Sequence, residues 1–265
     1  KIYVAKKGTY TISTKLEKIG NVDNKVTWTS ADETIAKVDE NGKVTGIKAG
    51  TTKVTATVGE ATDEIEVLVT DLIIPMPKNF NNSKPYLSCG KYSEAQNDLL
   101  DEILKDRIAD AGYKTRAGAV AAARFLALEF PYKIRYFSEN GRETTNGVQG
   151  EGRYYKKGLY LGVEKQNQIT RRMAGPASWG CPLMNYEDDG YRVPNTYYPN
   201  GLDCSGYVTW VLVQAGLDLG DIGAGSSGER DYTDIGTLRY NSYDLLHSGQ
   251  VHVGDLIGWD GHIAI

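Results

Sequence analysis

Residues 201–210 read GLDCSGYVTW, with a cysteine, Cys204, between an aspartate and a serine. A thiol in such a run can be a buried filler, half of a disulfide, a metal ligand or a nucleophile. After it Val208, Val211, Leu212 and Ala215 recur at helical spacing, and Gly216 offers a stop. Asp203 suits the N-cap, which puts Cys204 in the first turn, where unpaired N–H groups and the positive end of the helix dipole favour an anion. Cysteines so placed have pKa values lowered from about 8.5 to about 3.5–7.5, especially beside a histidine. Asp203 works against that shift, so a base is required. The chain has three histidines. His262 lies in VHVGDLIGWDGHIAI, where Ile257 and Trp259, then His262, Ile263 and Ile265, read as two strand segments joined through Asp260-Gly261. A strand-borne histidine beside a helix start is a Cys–His arrangement for nucleophilic attack, in which the base comes within about 2.6–3.2 Å of the sulfur. His252 is the rival base, and His247, in LLHSGQ, is expected to face solvent.

The elements that must position these residues lie in a chain long enough for two domains: 265 residues, against a usual domain of roughly 100–200. Lys and Arg number 30 and Asp and Glu 34, a net charge of −4 with no basic block, so neither nucleic acid nor an anionic membrane is an expected partner. The longest apolar run, GAVAAARFLALEF, is too short to span a bilayer, which takes about 20 apolar residues. No secretory leader precedes KIYVAKKGTY, which leaves either no leader or one already removed. The cysteines at 89, 181 and 204 form no CxxC and there is no HExxH, so no metal and no cofactor is expected. GAGSSG at 223–228 fits GxGxxG but lacks the strand before it and the helix after it, which argues against a dinucleotide site.

Over residues 1 to about 70, apolar and polar side chains alternate in TYTIST, KVTWTS, AKVDENGKVTGI, TKVTATV and EIEVLV, which predicts half-buried strands. Asn41-Gly42 between Val38 and Val44 predicts a tight hairpin with left-handed turn residues. The half reads as a small β-sandwich. Its run WTSADETIAKVDENGKVTGIKAGTTKVTAT resembles the bacterial immunoglobulin-like (Big) modules of surface proteins. That resemblance implies a spacer or adhesive module outside the cell, with Trp28 in its core and no catalytic residues.

Prolines and asparagines crowd DLIIPMPKNFNNSKPYLSCG, which reads as a linker. In SEAQNDLLDEILKDRIADAG, Ser93 and Gln96 make a capping box, Leu99, Leu100, Ile103, Leu104 and Ile108 a helical stripe, and Gly112 the stop. A second helix is predicted from about Thr115 to Phe130, ahead of Pro131. The loops of 132–200 are rich in tyrosine, including Tyr154, Tyr155, Tyr160, Tyr186, Tyr191, Tyr197 and Tyr198. With 18 Tyr against 4 Phe, this suits either a wet groove for peptide or sugar or an ordinary surface.

GLDCSGYVTWVL followed by GDLIGWDGHIAI resembles the NlpC-type family of papain-like cell-wall peptidases, in its D-C-S-G helix start, G-D-L strand entry and G-H strand. The resemblance spans about residues 165–265 and implies cleavage of amide bonds in peptidoglycan stem peptides, often next to D-glutamate. Matched residue by residue, it makes Cys204 the nucleophile and His262 the general base, with Asp203 and Ser205 lining the pocket for the substrate's amino end. PASWGCP aligns Trp179 and Gly180 with the family's W-G-G, and Trp179 joins the substrate-side residues with core as its alternative. The motif departs in two ways. Ala177 stands where the family has a tyrosine whose hydroxyl points toward the oxyanion, so Tyr197 or Tyr198 is expected to supply that hydroxyl. Cys181 replaces the last glycine, and the family's third catalytic residue would fall beyond Ile265.

The expected organisation is a multidomain chain: an all-β immunoglobulin-like sandwich at 1–71, a linker at 72–90, a helical and loop extension at 91–164, and an α+β papain-like NlpC-type core at 165–265. The expected function is a secreted or wall-associated cysteine peptidase acting on peptidoglycan stem peptides, its β-module touching cell-wall or surface polymers. A catalytically silent wall-binding or adhesin protein is the alternative, as is an amidase or acyltransferase using the same Cys–His pair. Cys89 and Cys181 are read as structural residues, with pairing in a secreted protein left open.

Overall fold

The computed structural model describes residues 1–17, 25–77, 83–137, 143–144, 153–154, 157–162, 178–185, 192–217, 236–237, 239, 242–259 and 261–265. The chain divides into two compact units, Lys1–Ser83 with Leu128–Pro131, and Lys84–Ala127 with Tyr132–Ile265.

The first unit holds seven strands: β1 (Ile2–Ala5), β2 (Thr9–Thr11), β3 (Thr27–Ser30), β4 (Ala36–Val38), β5 (Lys43–Gly46), β6 (Gly50–Val58) and β7 (Ala61–Thr70). They form two sheets, β1-β7-β6-β3 and β2-β5-β4. Ile2, Val4, Ala36, Val44, Val54, Val67 and Val69 fill the core, and Trp28 packs against it as a partly buried cover. Each fully buried valine or isoleucine contributes about 1.5–3 kcal/mol relative to exposure. The alternating runs became β2 to β7. β1 escaped that reading because all four of its residues are buried, so no polar position breaks the run. It pairs parallel with β7, Ile2 opposite Val67 through Ala5 opposite Thr70.

The β4–β5 hairpin forms where Asn41-Gly42 predicts it, with Val38 opposite Val44. Its turn differs from the expected one: Gly42 takes a left-handed φ of 74° but Asn41 does not. Asp39 does the remaining work, its Oδ1 accepting from the Asn41 and Lys43 N–H groups at 2.9 and 3.0 Å.

In the second unit α1 (Glu94–Ala111) starts on the expected box: Ser93 Oγ accepts from Gln96 N–H at 3.3 Å, and Gln96 Oε1 from Ser93 N–H at 3.0 Å. Leu100, Ile103, Leu104 and Ile108 are its buried face. Thr115 caps α2 (Arg116–Arg124), which runs on as a π-helical turn, Phe125–Glu129. α3 (Cys204–Gln214) is more than the one-striped helix its spacing predicts, since every residue but Cys204 and Tyr207 is buried. It ends in the bond pair of a Schellman motif, Gly216 N–H to Val213 O at 3.0 Å and Leu217 N–H to Leu212 O at 2.9 Å. α2 packs on both α1 and α3.

Residues 157–162 thread between α1 and α3. Asp101 Oδ1 accepts from Leu159 N–H and Gln214 Oε1 from Gly158 N–H, both at 2.6 Å, and Trp210 Nε1–H donates to Gly158 O at 3.0 Å. Four two-stranded ladders complete the described residues. β8 (Arg135–Tyr136) pairs with β13 (Gly201–Leu202), and β9 (Glu143–Thr144) with β10 (Arg153–Tyr154). β11 (Pro182–Asn185) pairs with β12 (Thr196–Pro199), and β14 (Ile257–Trp259) with β15 (His262–Ala264). A short helix, α4, spans Tyr243–His247. The later part of the expected linker belongs to this unit, for Leu87 is buried and donates its N–H to Lys133 O at 2.9 Å.

Candidate active site

Cys204 opens α3, directly after the cap its sequence predicts. Asp203 takes an extended backbone and its Oδ1 accepts from the Gly206 N–H at 2.5 Å. Ser205 Oγ donates to the same oxygen at 3.2 Å. Asp203 and Ser205 are only 7% and 3% exposed, so in this state both serve the helix start rather than an open pocket. Cys204 is half-buried and is the free cysteine.

Tyr136, which no sequence motif singles out, lies on the strand paired with the one that leads into Cys204. Leu202 and Tyr136 are register partners in the parallel β8–β13 ladder, and Phe137 N–H extends it to Leu202 O at 3.2 Å. A methyl group on residue 201 would collide with the Arg135 carbonyl, so only glycine lets the two strands close. The pKa of the Tyr136 hydroxyl is raised, mainly by partial desolvation and then by the nearby Cys204 and Asp203, with Arg192 opposing. The ring remains 67% exposed, open to a substrate.

Tyr197 and Tyr198 are the residues expected to supply a hydroxyl. Both lie on β12, but Tyr198 packs against Phe137 and Leu183 while its hydroxyl accepts from Val193 N–H at 2.9 Å, and Tyr197 points outward at 59% exposed. Trp179 is also corrected. It is 1% exposed, wedged edge-on between Tyr160 and Trp210 with centroids 5.2 and 5.8 Å away, which is a core position no peptide can reach. Trp179 N–H donates to Tyr160 O at 2.7 Å, and Gly180 N–H to Asn200 O at 2.9 Å.

Cys89 and Cys181, left open above, are joined in a disulfide with Cα atoms 4.2 Å apart. Cys181 is fully buried, and its carbonyl accepts from Asn200 N–H at 2.8 Å, one residue before β13. The bridge therefore anchors the segment that leads into Asp203 and Cys204.

His262 is half-buried on β15, which packs on α3, the helix that Cys204 begins. Its ring tilts against Trp259 across the hairpin, centroids 4.5 Å apart. His252 is exposed, and its N–H donates to Asp255 Oδ2 at 2.8 Å. His247 faces solvent on α4, stacked on Tyr243 at 4.0 Å. Ala177, Tyr155, Tyr186, Tyr191 and the GAGSSG run lie outside the described residues. Among the described residues no group of three His, Cys, Asp or Glu is placed to hold a metal ion, and no helix is long and apolar enough to cross a membrane.

The Ice-binding protein 1 of Shewanella frigidimarina (strain NCIMB 400) is 31% identical over 100 residues, which cover 35% of this chain and 11% of that protein. An Alpha-L-arabinofuranosidase of Bifidobacterium longum subsp. longum is 58% identical over 36 residues, 14% of this chain and 3% of that protein. The chain thus spans a small part of the curated relatives it matches. Among solved structures, an intimin mutant of EHEC O157:H7 matches at 18% identity and a TM-score of 0.22, covering 38% of this chain and 55% of that one. Domains 5-6 of the S-layer protein SbsC match at 20% identity and a TM-score of 0.21, covering 36% and 52%. Residues 1–69 match the family described as Bacterial Ig-like domain (group 2), and with their two-sheet sandwich they are such a domain.

Proposed function

We propose that the second unit is an extracellular cysteine peptidase of the papain-like NlpC type that hydrolyses amide bonds in peptidoglycan stem peptides, carried behind an Ig-like spacer. The observation that carries the reading is the half-buried, free Cys204 thiol at a capped helix start, with the His262 strand packed on the same helix. Thiolates at such termini are the attacking species in Cys–His catalysis. In this reading the Cys204 sulfur adds to the amide carbonyl as His262 holds the thiol proton, and the C–N bond breaks as that proton passes to the leaving amine. Water then cleaves the thioester, returning the thiol and releasing a carboxylic acid. Tyr136, on the strand paired with the one that leads into Cys204, is the candidate donor to the oxyanion that forms beside the sulfur. A disulfide in the same unit favours an oxidising compartment, as does the Ig-like domain's kinship with surface modules.

Mass spectrometry of muropeptides incubated with the protein is the test. Wild-type protein is expected to split stem peptides, and Cys204→Ala to lose turnover while keeping its fold. Equal turnover in the two removes Cys204 as the nucleophile and with it the Cys–His peptidase reading, and no turnover in either favours a silent wall-binding protein.

A further inference from the structure

In the hairpin that carries His262, β14 is exposed throughout and β15 buries only Ile263, where it packs on α3. A ladder of two strands is at best marginally stable by itself, so its position depends on what else grips it. A second hold lies just upstream, in the turn His252–Asp255. The backbone closes through Asp255 N–H to His252 O at 3.0 Å, and Asp255 Oδ2 accepts from His252 N–H at 2.8 Å. The other carboxylate oxygen, Oδ1, pairs with Arg116 Nη2 at 3.0 Å, across to the first residue of α2. The turn lies directly on that helix. Gly254 has a left-handed φ of 91°, and a methyl group there would collide with the side chains of Arg116 and Val120. Arg116 stands at the positive end of α2, whose first turn has no acidic residue, so the Asp255 carboxylate supplies the anion that this terminus favours. α2 in turn packs on α3. The hairpin is therefore held at two points, by Ile263 on α3 and by Asp255 on α2, and a strand pair pinned at both cannot pivot about either.

We propose that Asp255 is a positioning residue: through its pair with Arg116 it fixes the angle at which the β14–β15 hairpin lies on α3, and with it the place of the His262 ring. The proposal rests on the peptidase reading for what His262 does, but one arm of its test needs no turnover.

His262 is one of three histidines, so its ring-proton NMR signals are assigned by comparison with His262→Gln. Those signals are expected to shift in Asp255→Ala and in Arg116→Gln, and to stay near the parent position in Arg116→Lys, which keeps the charge. On stem peptides the first two variants should lose about fivefold in kcat with KM within about twofold, the pattern of a misplaced base rather than of a lost binding contact. Asp255→Ala/Arg116→Gln should be no worse than Asp255→Ala alone, since Arg116 acts through Asp255. Melting curves show which variants fold. Should Asp255→Ala not fold, Asp255→Asn, whose amide oxygen still accepts from His252 N–H, takes its place. Unmoved His262 signals, moved signals with the kcat of an active parent unchanged, or a double variant in which the two losses add in full overturns the proposal. Shifted signals in a protein that turns over no stem peptide remove the peptidase and keep Asp255 as the hairpin's anchor, while hydrolysis with unmoved signals does the reverse.

Discussion

Leu202 and Tyr136 face each other across a two-rung parallel ladder, so the residue two positions before Cys204 is paired directly with Tyr136. The segment that leads into Cys204 is thus held to the Tyr136 strand by backbone pairing.

That dependence makes Gly201 a sensitive position. Gly201→Ala must push β8 away from β13, because the Arg135 carbonyl occupies the space of the new methyl group. Overpacking of this kind costs about 1–3 kcal/mol. Urea denaturation should show a loss of that size, and iodoacetamide should alkylate Cys204 at an altered rate as Tyr136 moves off. An unchanged midpoint together with an unchanged labelling rate would count against the ladder as the device that positions Tyr136.

The disulfide links residues separated by 92 positions, a long loop. In the chain-entropy account, closing such a loop removes about 4–5 kcal/mol of unfolded-state freedom, an upper figure for the stabilisation. Cys89→Ser/Cys181→Ser is expected to unfold at clearly lower urea than wild type. Alkylation of unfolded, unreduced protein should add one label per chain, and after reduction three. Three labels without reduction would show the bridge to be absent in solution.

A third prediction concerns alkaline pH. Tyr207 donates its hydroxyl to Ala123 O at 3.0 Å, and burial pushes its pKa from 10.0 up to about 12. The unfolded chain ionises this tyrosine first. Its contribution to stability is therefore whole below pH 10 and is lost as pH rises from 10 toward 12. Tyr207→Phe should cost about 0.5–1.5 kcal/mol at neutral pH through the lost bond. It should also make the alkaline decline shallower by up to one proton per molecule. Calorimetric melts at neutral pH and between pH 10 and 12 check both, and parallel slopes for the two proteins would argue against Tyr207 as a titrating group.

What could be read in advance follows the range of the interactions. Ser93 with Gln96, Asp203 with Gly206, and the alternation of β2 to β7 are local, and each left a local pattern. The β8–β13 ladder just before Cys204 left none, since it is a parallel pairing of two strands far apart in the chain. Trp179 misled for a related reason: the W-G pair looked like a pocket motif, yet tertiary packing put its ring between Tyr160 and Trp210. The Cys89–Cys181 bridge was equally hidden, because spacing alone does not bring two distant thiols together.

β1 and β7 are the first and last strands of the Ig-like domain, and they run side by side in the same direction from Ile2–Val67 to Ala5–Thr70. A tension that draws the two ends of this domain apart acts along both strands in opposite senses, so it loads every rung of that ladder together in shear. An antiparallel terminal pair would instead open from one end, one bond at a time. A domain whose terminal strands are joined in this way resists until the whole ladder gives at once.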